Sequence, residues 1–129
     1  MTKGLRLVTT MAVAACALVL AAAAPVALNG VAGGRWEVSR SATGRDPIRM
    51  CVADPAALAQ FEHRGSPCTR VVLSDRQNEV VIHYTCPAGE FGRTKVTVLT
   101  PRSLRLDTQG IRSGFPFSYQ LHARRVGNC

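Results

Sequence analysis

The sequence predicts a mainly β domain: an antiparallel meander or curled, partly closed barrel-like sheet with one short helix and two disulfides. Three observations predict it. After Cys68 the chain falls into short runs that alternate apolar and polar residues, separated by turn residues. Only the stretch after Asp54-Pro55 combines helix-forming composition with helix start and stop residues. Four of the five cysteines lie between Cys51 and Cys129, behind a leader that directs the chain to an oxidising compartment.

That leader occupies residues 1–27. Lys3 and Arg6 give a positive start, an almost uncharged apolar run follows from Leu7 to Ala24, and Ala21-Ala22-Ala23-Ala24 supplies small residues for cleavage. This is the three-part layout of a secretory signal peptide. Cleavage after Ala23 fits, with Ala21 three positions from the cut; a cut after Ala27 is the alternative. What remains, 28–129, is enough for one domain, with no membrane-spanning segment once the signal is removed. Val13-Ala14-Ala15-Cys16 resembles a lipobox, so a lipid anchor on Cys16 is the alternative to a free periplasmic protein.

The elements follow in order. Arg35 to Arg40 alternates like a half-buried strand with Trp36 and Val38 on one face, and Ile48 to Val52 is a second extended piece. Asp54 is a good N-cap and Pro55 suits the first helical position, where its missing N–H costs nothing. The helix runs through Glu62, stops before Gly65 and Pro67, and turns Leu58 and Phe61 to the sheet. Strands are expected over Arg70 to Ser74 and Glu79 to Cys86, joined by Asp75-Arg76-Gln77-Asn78. In the second of these Val80, Ile82, Tyr84 and Cys86 share a face. Thr94 to Thr100 and Leu104 to Asp107 alternate next, turning at Pro101-Arg102-Ser103. A longer polar loop is expected from Asp107 through Arg112 and on past Gly114 and Pro116. Phe117, Tyr119, Leu121 and Ala123 then alternate along a last strand, with Phe115, Phe117 and Tyr119 expected in the core.

Cys51, Cys68, Cys86 and Cys129 permit three pairings. The expected one is Cys51–Cys68, pinning the helix between two extended segments, with Cys86–Cys129 tying the last residue to a central strand. Each would contribute roughly 3 to 4 kcal/mol by loop closure. No two cysteines have the CxxC spacing of a zinc half-site, so neither a metal nor a cofactor is expected.

The formal net charge is +8. Without Lys3 and Arg6 the remaining 14 basic and 8 acidic residues give +6, and all the basic ones except Lys95 are arginine. Such a surface attracts anionic envelope components such as lipopolysaccharide or anionic phospholipid, or another protein. The positive charges stand singly apart from Arg124-Arg125 and no aromatics interleave with them, which argues against specific nucleic-acid binding.

Trp36-Glu37 after Gly33-Gly34, the order Cys51-Val52, Cys68, Cys86, and the ending Arg124-Arg125-Val126-Gly127-Asn128-Cys129 resemble a small family of exported bacterial proteins, domain of unknown function 3617. The resemblance covers nearly the whole chain after the leader. It implies a disulfide-stapled β domain in a Gram-negative envelope and brings no catalytic or binding residues to carry over. Family members often have a longer, Met-rich segment after the Trp strand, which this chain lacks.

No catalytic constellation stands out. His63, His83 and His122 are the groups that titrate near neutrality, and His83 and His122 would face each other if their strands paired. No serine sits on a nucleophile elbow, no cysteine of the domain is left over, and no carboxylates stand as a pair. The expected function is therefore a non-enzymatic binding or structural module of the envelope, with Arg112, Arg124 and Arg125 as contacts for an anionic partner. The alternative is a periplasmic inhibitor of an exogenous enzyme such as lysozyme, since Tyr84-Thr85-Cys86 before a glycine turn is similar to such inhibitors. The charge opposes that alternative, because lysozymes are usually basic too.

Overall fold

Seven antiparallel strands form one sheet, in the spatial order β2-β1-β7-β6-β5-β4-β3, in a computed structural model that describes residues 24–129. The strands are β1 Gly34–Ser39, β2 Ile48–Val52, β3 Thr69–Arg76, β4 Glu79–Thr85, β5 Phe91–Thr100, β6 Ser103–Arg112 and β7 Phe115–Gly127. The expected leader up to residue 23, including Cys16, lies outside the described residues. Strands β3 to β7 are a plain meander, while the β1–β2 hairpin joins it through β1 against β7. The sheet is open, with β2 and β3 at its edges.

Period-two alternation places the core on one face. Trp36 and Val38 of β1, Val80, Ile82 and Tyr84 of β4, and Leu104 and Leu106 of β6 are all buried there. Three register shifts interrupt the ladders, between Arg35 and Trp36, between Val72 and Ser74 and between Val98 and Thr100. The extra residues of the last two, Leu73 and Leu99, are exposed.

The helical segment Pro55–His63 covers the core face. Asp54 caps it, its side chain accepting from the Ala56 N–H at 3.0 Å, and Leu58 and Phe61 are buried as the spacing predicts. It is of 3₁₀ type, with a kink at Gln60, rather than a regular α-helix. The segment's backbone is held from outside: Thr94 on β5 donates its hydroxyl to the Ala59 carbonyl at 2.5 Å. Nine residues in all is also short for a stable α-helix, so packing decides the form.

The polar loop expected between Asp107 and Pro116 is not a loop. Strand β6 runs on to Arg112, and β7 starts at Phe115 after only Ser113 and Gly114. Both turn residues have positive φ, 50° and 78°, the backbone of a type I′ hairpin whose twist matches the strands. Gly110 marks a close approach within the strand rather than a break. A Cβ there would stand 2.1 Å from the Phe91 carbonyl oxygen of the neighbouring strand. One consequence is that Phe115, expected in the core, projects from the hairpin at 75 % exposure.

The disulfides are Cys51–Cys129 and Cys68–Cys86, not the expected Cys51–Cys68 and Cys86–Cys129. Strand register explains both. Thr69 pairs with Thr85, so Cys68 and Cys86 are the next opposed pair of the β3–β4 hairpin, with Cα atoms 4.2 Å apart. Cys51 on β2 lies opposite Arg35 on β1, which lies opposite Gly127 on β7, and the chain two residues further on reaches Cys51. Those Cα atoms are 5.8 Å apart.

The folded unit starts upstream of Leu28, the first residue of the expected domain. Val26–Leu28 forms a short 3₁₀ turn, and Ala27, Leu28 and Val31 belong to the core. Asp75 on β3 accepts from the backbone N–H groups of Val26 at 2.7 Å and Ala27 at 3.0 Å.

Candidate functional site

A cleft of about 610 Å³ opens where the end of the Pro55–His63 segment meets β7 and the β1–β2 connection. Four arginines line it: Arg40 and Arg45 from that connection, Arg64 just after the helical segment, and Arg112 at the end of β6. Its apolar wall is Phe61, Tyr119 and Leu121, and its carboxylates are Glu62 and Asp46.

Glu62 organises one side. The Tyr119 hydroxyl donates to one of its oxygens, and Arg112 donates to the other at 3.0 Å. Burial pushes the Glu62 carboxyl up, but the hydrogen bonds from Tyr119 and Arg112 and the charges of Arg112 and Arg40 outweigh it, leaving a net lowering. Tyr119 responds in the opposite sense, raised by burial and by the negative charge it donates to. Arg40 lies over the Tyr119 ring, 4.2 Å from its centroid, and Arg64 lies over Phe61 at 4.5 Å. Neither Arg40, Arg45 nor Arg64 has an ion-pair partner among the described residues. The cleft thus offers guanidinium groups that are not tied up in a direct ion pair, two of them set over aromatic rings.

Behind this wall lies a buried polar network. His63, one residue beyond Glu62, turns inward at 4 % exposure. Its Nδ1 is 3.0 Å from the Tyr84 hydroxyl, and its Nε2 lies 3.2 Å from Glu90, an ion-pair distance without aligned hydrogen-bond geometry. Burial raises the Tyr84 phenol to about 12, helped by the charges of Glu62 and Glu90. Thr94 and Thr108 share a hydrogen bond of 2.7 Å in the same layer. Among the described residues no three His, Cys, Asp or Glu side chains come together as a metal site.

The structure scatters the three arginines singled out from the sequence. Arg112 lines the cleft, but Arg124 lies about 30 Å away along β7 at the usual strand rise, beside Glu37 at 3.6 Å. Arg125 faces the opposite side and donates to the Gly33 carbonyl at 2.8 Å and to Asn128 at 2.7 Å, a contact that fastens the strand end. His83 and His122 do not face each other, because β5 and β6 separate β4 from β7. Sequence reasoning missed Arg40, Arg45 and Arg64, which stand singly and far apart in the chain. It also missed His63 as a core residue; its place at the end of the Pro55–His63 segment, two residues after the inward Phe61, was the available signal.

A family profile described as "Protein of unknown function (DUF3617)" matches residues 31–129. The chain belongs to that family. The match takes in all seven strands, the cleft and both disulfides, so these features lie inside the family's domain. No curated protein and no solved structure gives a significant match.

Proposed function

We propose that the protein is an exported, non-enzymatic binding domain of the cell envelope whose arginine-lined cleft takes a ligand with an anionic head and an apolar body. The observation that carries this reading is the set of guanidinium groups of Arg40, Arg45 and Arg64, none in a direct ion pair among the described residues, beside the Phe61–Tyr119–Leu121 wall. Arginine suits this task because its planar, weakly hydrated cation binds carboxylate or phosphate in a fork and stacks on rings. Two of the arginines already lie over aromatic rings, which limits the freedom they lose on binding. The two disulfides suit an oxidising compartment, and no helix among the described residues is long and apolar enough to cross a membrane.

The test uses 8-anilinonaphthalene-1-sulfonate, an aromatic anion, and its uncharged parent N-phenyl-1-naphthylamine. The folded protein should bind the sulfonate in a salt-sensitive manner and the neutral compound at least tenfold more weakly. The double variant R45S/R64S should lose most of the sulfonate binding. Equal binding by the wild type and this variant would overturn the proposal.

A further inference from the structure

We propose that the leader is removed by hydrolysis of the Ala23–Ala24 peptide bond, so that the working protein begins at Ala24 and its first residues are part of the fold. The inference rests on the export reading above and goes beyond it by fixing the processing site. Sequence alone leaves two sites open, after Ala23 or after Ala27. The docked segment discriminates between them.

Ala27 and Leu28 are 6 % and 5 % exposed and sit in the core, while Val26 just before them is 61 % exposed. Asp75 accepts from the N–H groups of both Val26 and Ala27, and the Leu28 N–H donates to the Pro25 carbonyl at 3.0 Å. A cut after Ala27 would remove Pro25, Val26 and Ala27 and with them all three of these hydrogen bonds. It would leave the Asp75 carboxylate without its two donors and place a new α-ammonium on Leu28, beside a buried side chain, where desolvation of a charge is costly. A cut after Ala23 keeps all of these contacts and leaves the new ammonium on Ala24, which is exposed. The neighbouring bonds are poorer substrates. A cut after Ala22 would put the large Leu20 three positions back, and one after Ala24 would put Pro25 immediately beyond the scissile bond. The reaction consumes one water and a serine signal peptidase catalyses it; the carboxylate leaves on Ala23 and the ammonium remains on Ala24.

The full chain, expressed with its own leader in a Gram-negative host, should be recovered from the envelope and read by intact mass and amino-terminal sequencing. A protein starting at Ala24 is the expected result. A start at Leu28 overturns the inference and leaves the export reading standing. A diacylglycerol-modified start at Cys16 or an uncut envelope chain starting at Met1 also overturns it, in favour of a lipid or peptide tether, and an uncut chain that stays in the cytosol overturns the export reading itself. A second measurement is independent of processing. D75N should lower the Tm by about 5 to 10 °C, from the loss of a charge-assisted hydrogen-bond pair in a domain of this size. An unchanged Tm would show that the docked segment does not hold the fold and would remove the ground for preferring Ala23.

Discussion

Tyr84 and His63 meet in the interior, the phenol hydroxyl 3.0 Å from Nδ1, with neither side chain more than 4 % exposed. Neither partner can turn to water if the other is removed. Tyr84→Phe should therefore cost about 1 to 3 kcal/mol, the penalty for a buried polar atom left unpaired, although it changes the volume by a single oxygen. Urea unfolding of the variant checks this, and an unchanged midpoint would show that the pair contributes nothing.

The same burial predicts a loss of stability in alkali. The Tyr84 phenol is raised to about 12 from an ordinary value of 10. The stabilisation linked to this shift is complete below pH 10 and is lost as the pH rises to about 12, because the unfolded chain gives up its proton first. Tyr119 is shifted in the same direction. The chain has only two tyrosines, so phenolate absorbance should appear later than for free tyrosine and coincide with unfolding.

At the acid end the sign reverses. Glu62 is lowered from an ordinary 4.5, so its contribution is present above pH 4.5 and disappears as the pH falls through the folded-state value. Glu62→Gln should lower stability at pH 7, where the carboxylate's contribution is fully present, and flatten the acid limb below about pH 4.5, so that wild type and variant converge in acid. The same substitution frees Arg112 and adds to the positive charge of the cleft, so sulfonate binding should rise rather than fall.

The two disulfides should differ in weight. Chain entropy predicts about 4.5 kcal/mol for the bridge closing 78 residues, Cys51–Cys129, and about 3 kcal/mol for the 18-residue bridge, Cys68–Cys86. Paired replacement by alanine, followed by denaturant titration, should rank them in that order. Peptide mapping without reduction should recover Cys68 linked to Cys86.

Gly110 offers a test of the extended β6–β7 hairpin. Its missing Cβ would meet backbone, the Phe91 carbonyl at 2.1 Å and the Gly92 Cα at 2.6 Å, which cannot swing aside as a side chain could. Gly110→Ala should destabilise by about 1 to 3 kcal/mol and loosen amide protection in β5 and β6. If the segment were a free loop instead, the change would be close to neutral.

Much of this fold was legible in the residues, and the failures have physical causes. Alternation located Trp36 and Val38, Val80 to Tyr84, and Leu104 and Leu106 on the core face, because period two is a local property of the chain. The loop expected at Asp107–Pro116 rests on Gly110, Gly114 and Pro116 as breakers, although a glycine in a strand can equally mark close approach. The Cys68–Cys86 pair was within reach, since extending the hairpin about Gln77-Asn78 and allowing one bulge brings the two together. The Cys51–Cys129 pair was not, because it depends on β1 lying beside β7, and nothing local reports which distant strands become neighbours. The cleft was hidden for the same reason: Arg40, Arg45, Arg64 and Arg112 come from separate segments and acquire a shared role only in three dimensions.

The pairing of β1 with β7 also sets an order of events. The β1–β2 hairpin has no lateral neighbour until the last strand has been made, and the bridge that locks it needs residue 129. The meander can form from local contacts, but its union with the amino-terminal hairpin is among the most non-local steps a chain of this length can contain, and such steps are slow. A polypeptide built this way stays incompletely folded until its final residues are present. The last steps are then the pairing of β1 with β7 and the joining of the Cys51 and Cys129 thiols, whose two electrons and two protons pass to an external oxidant.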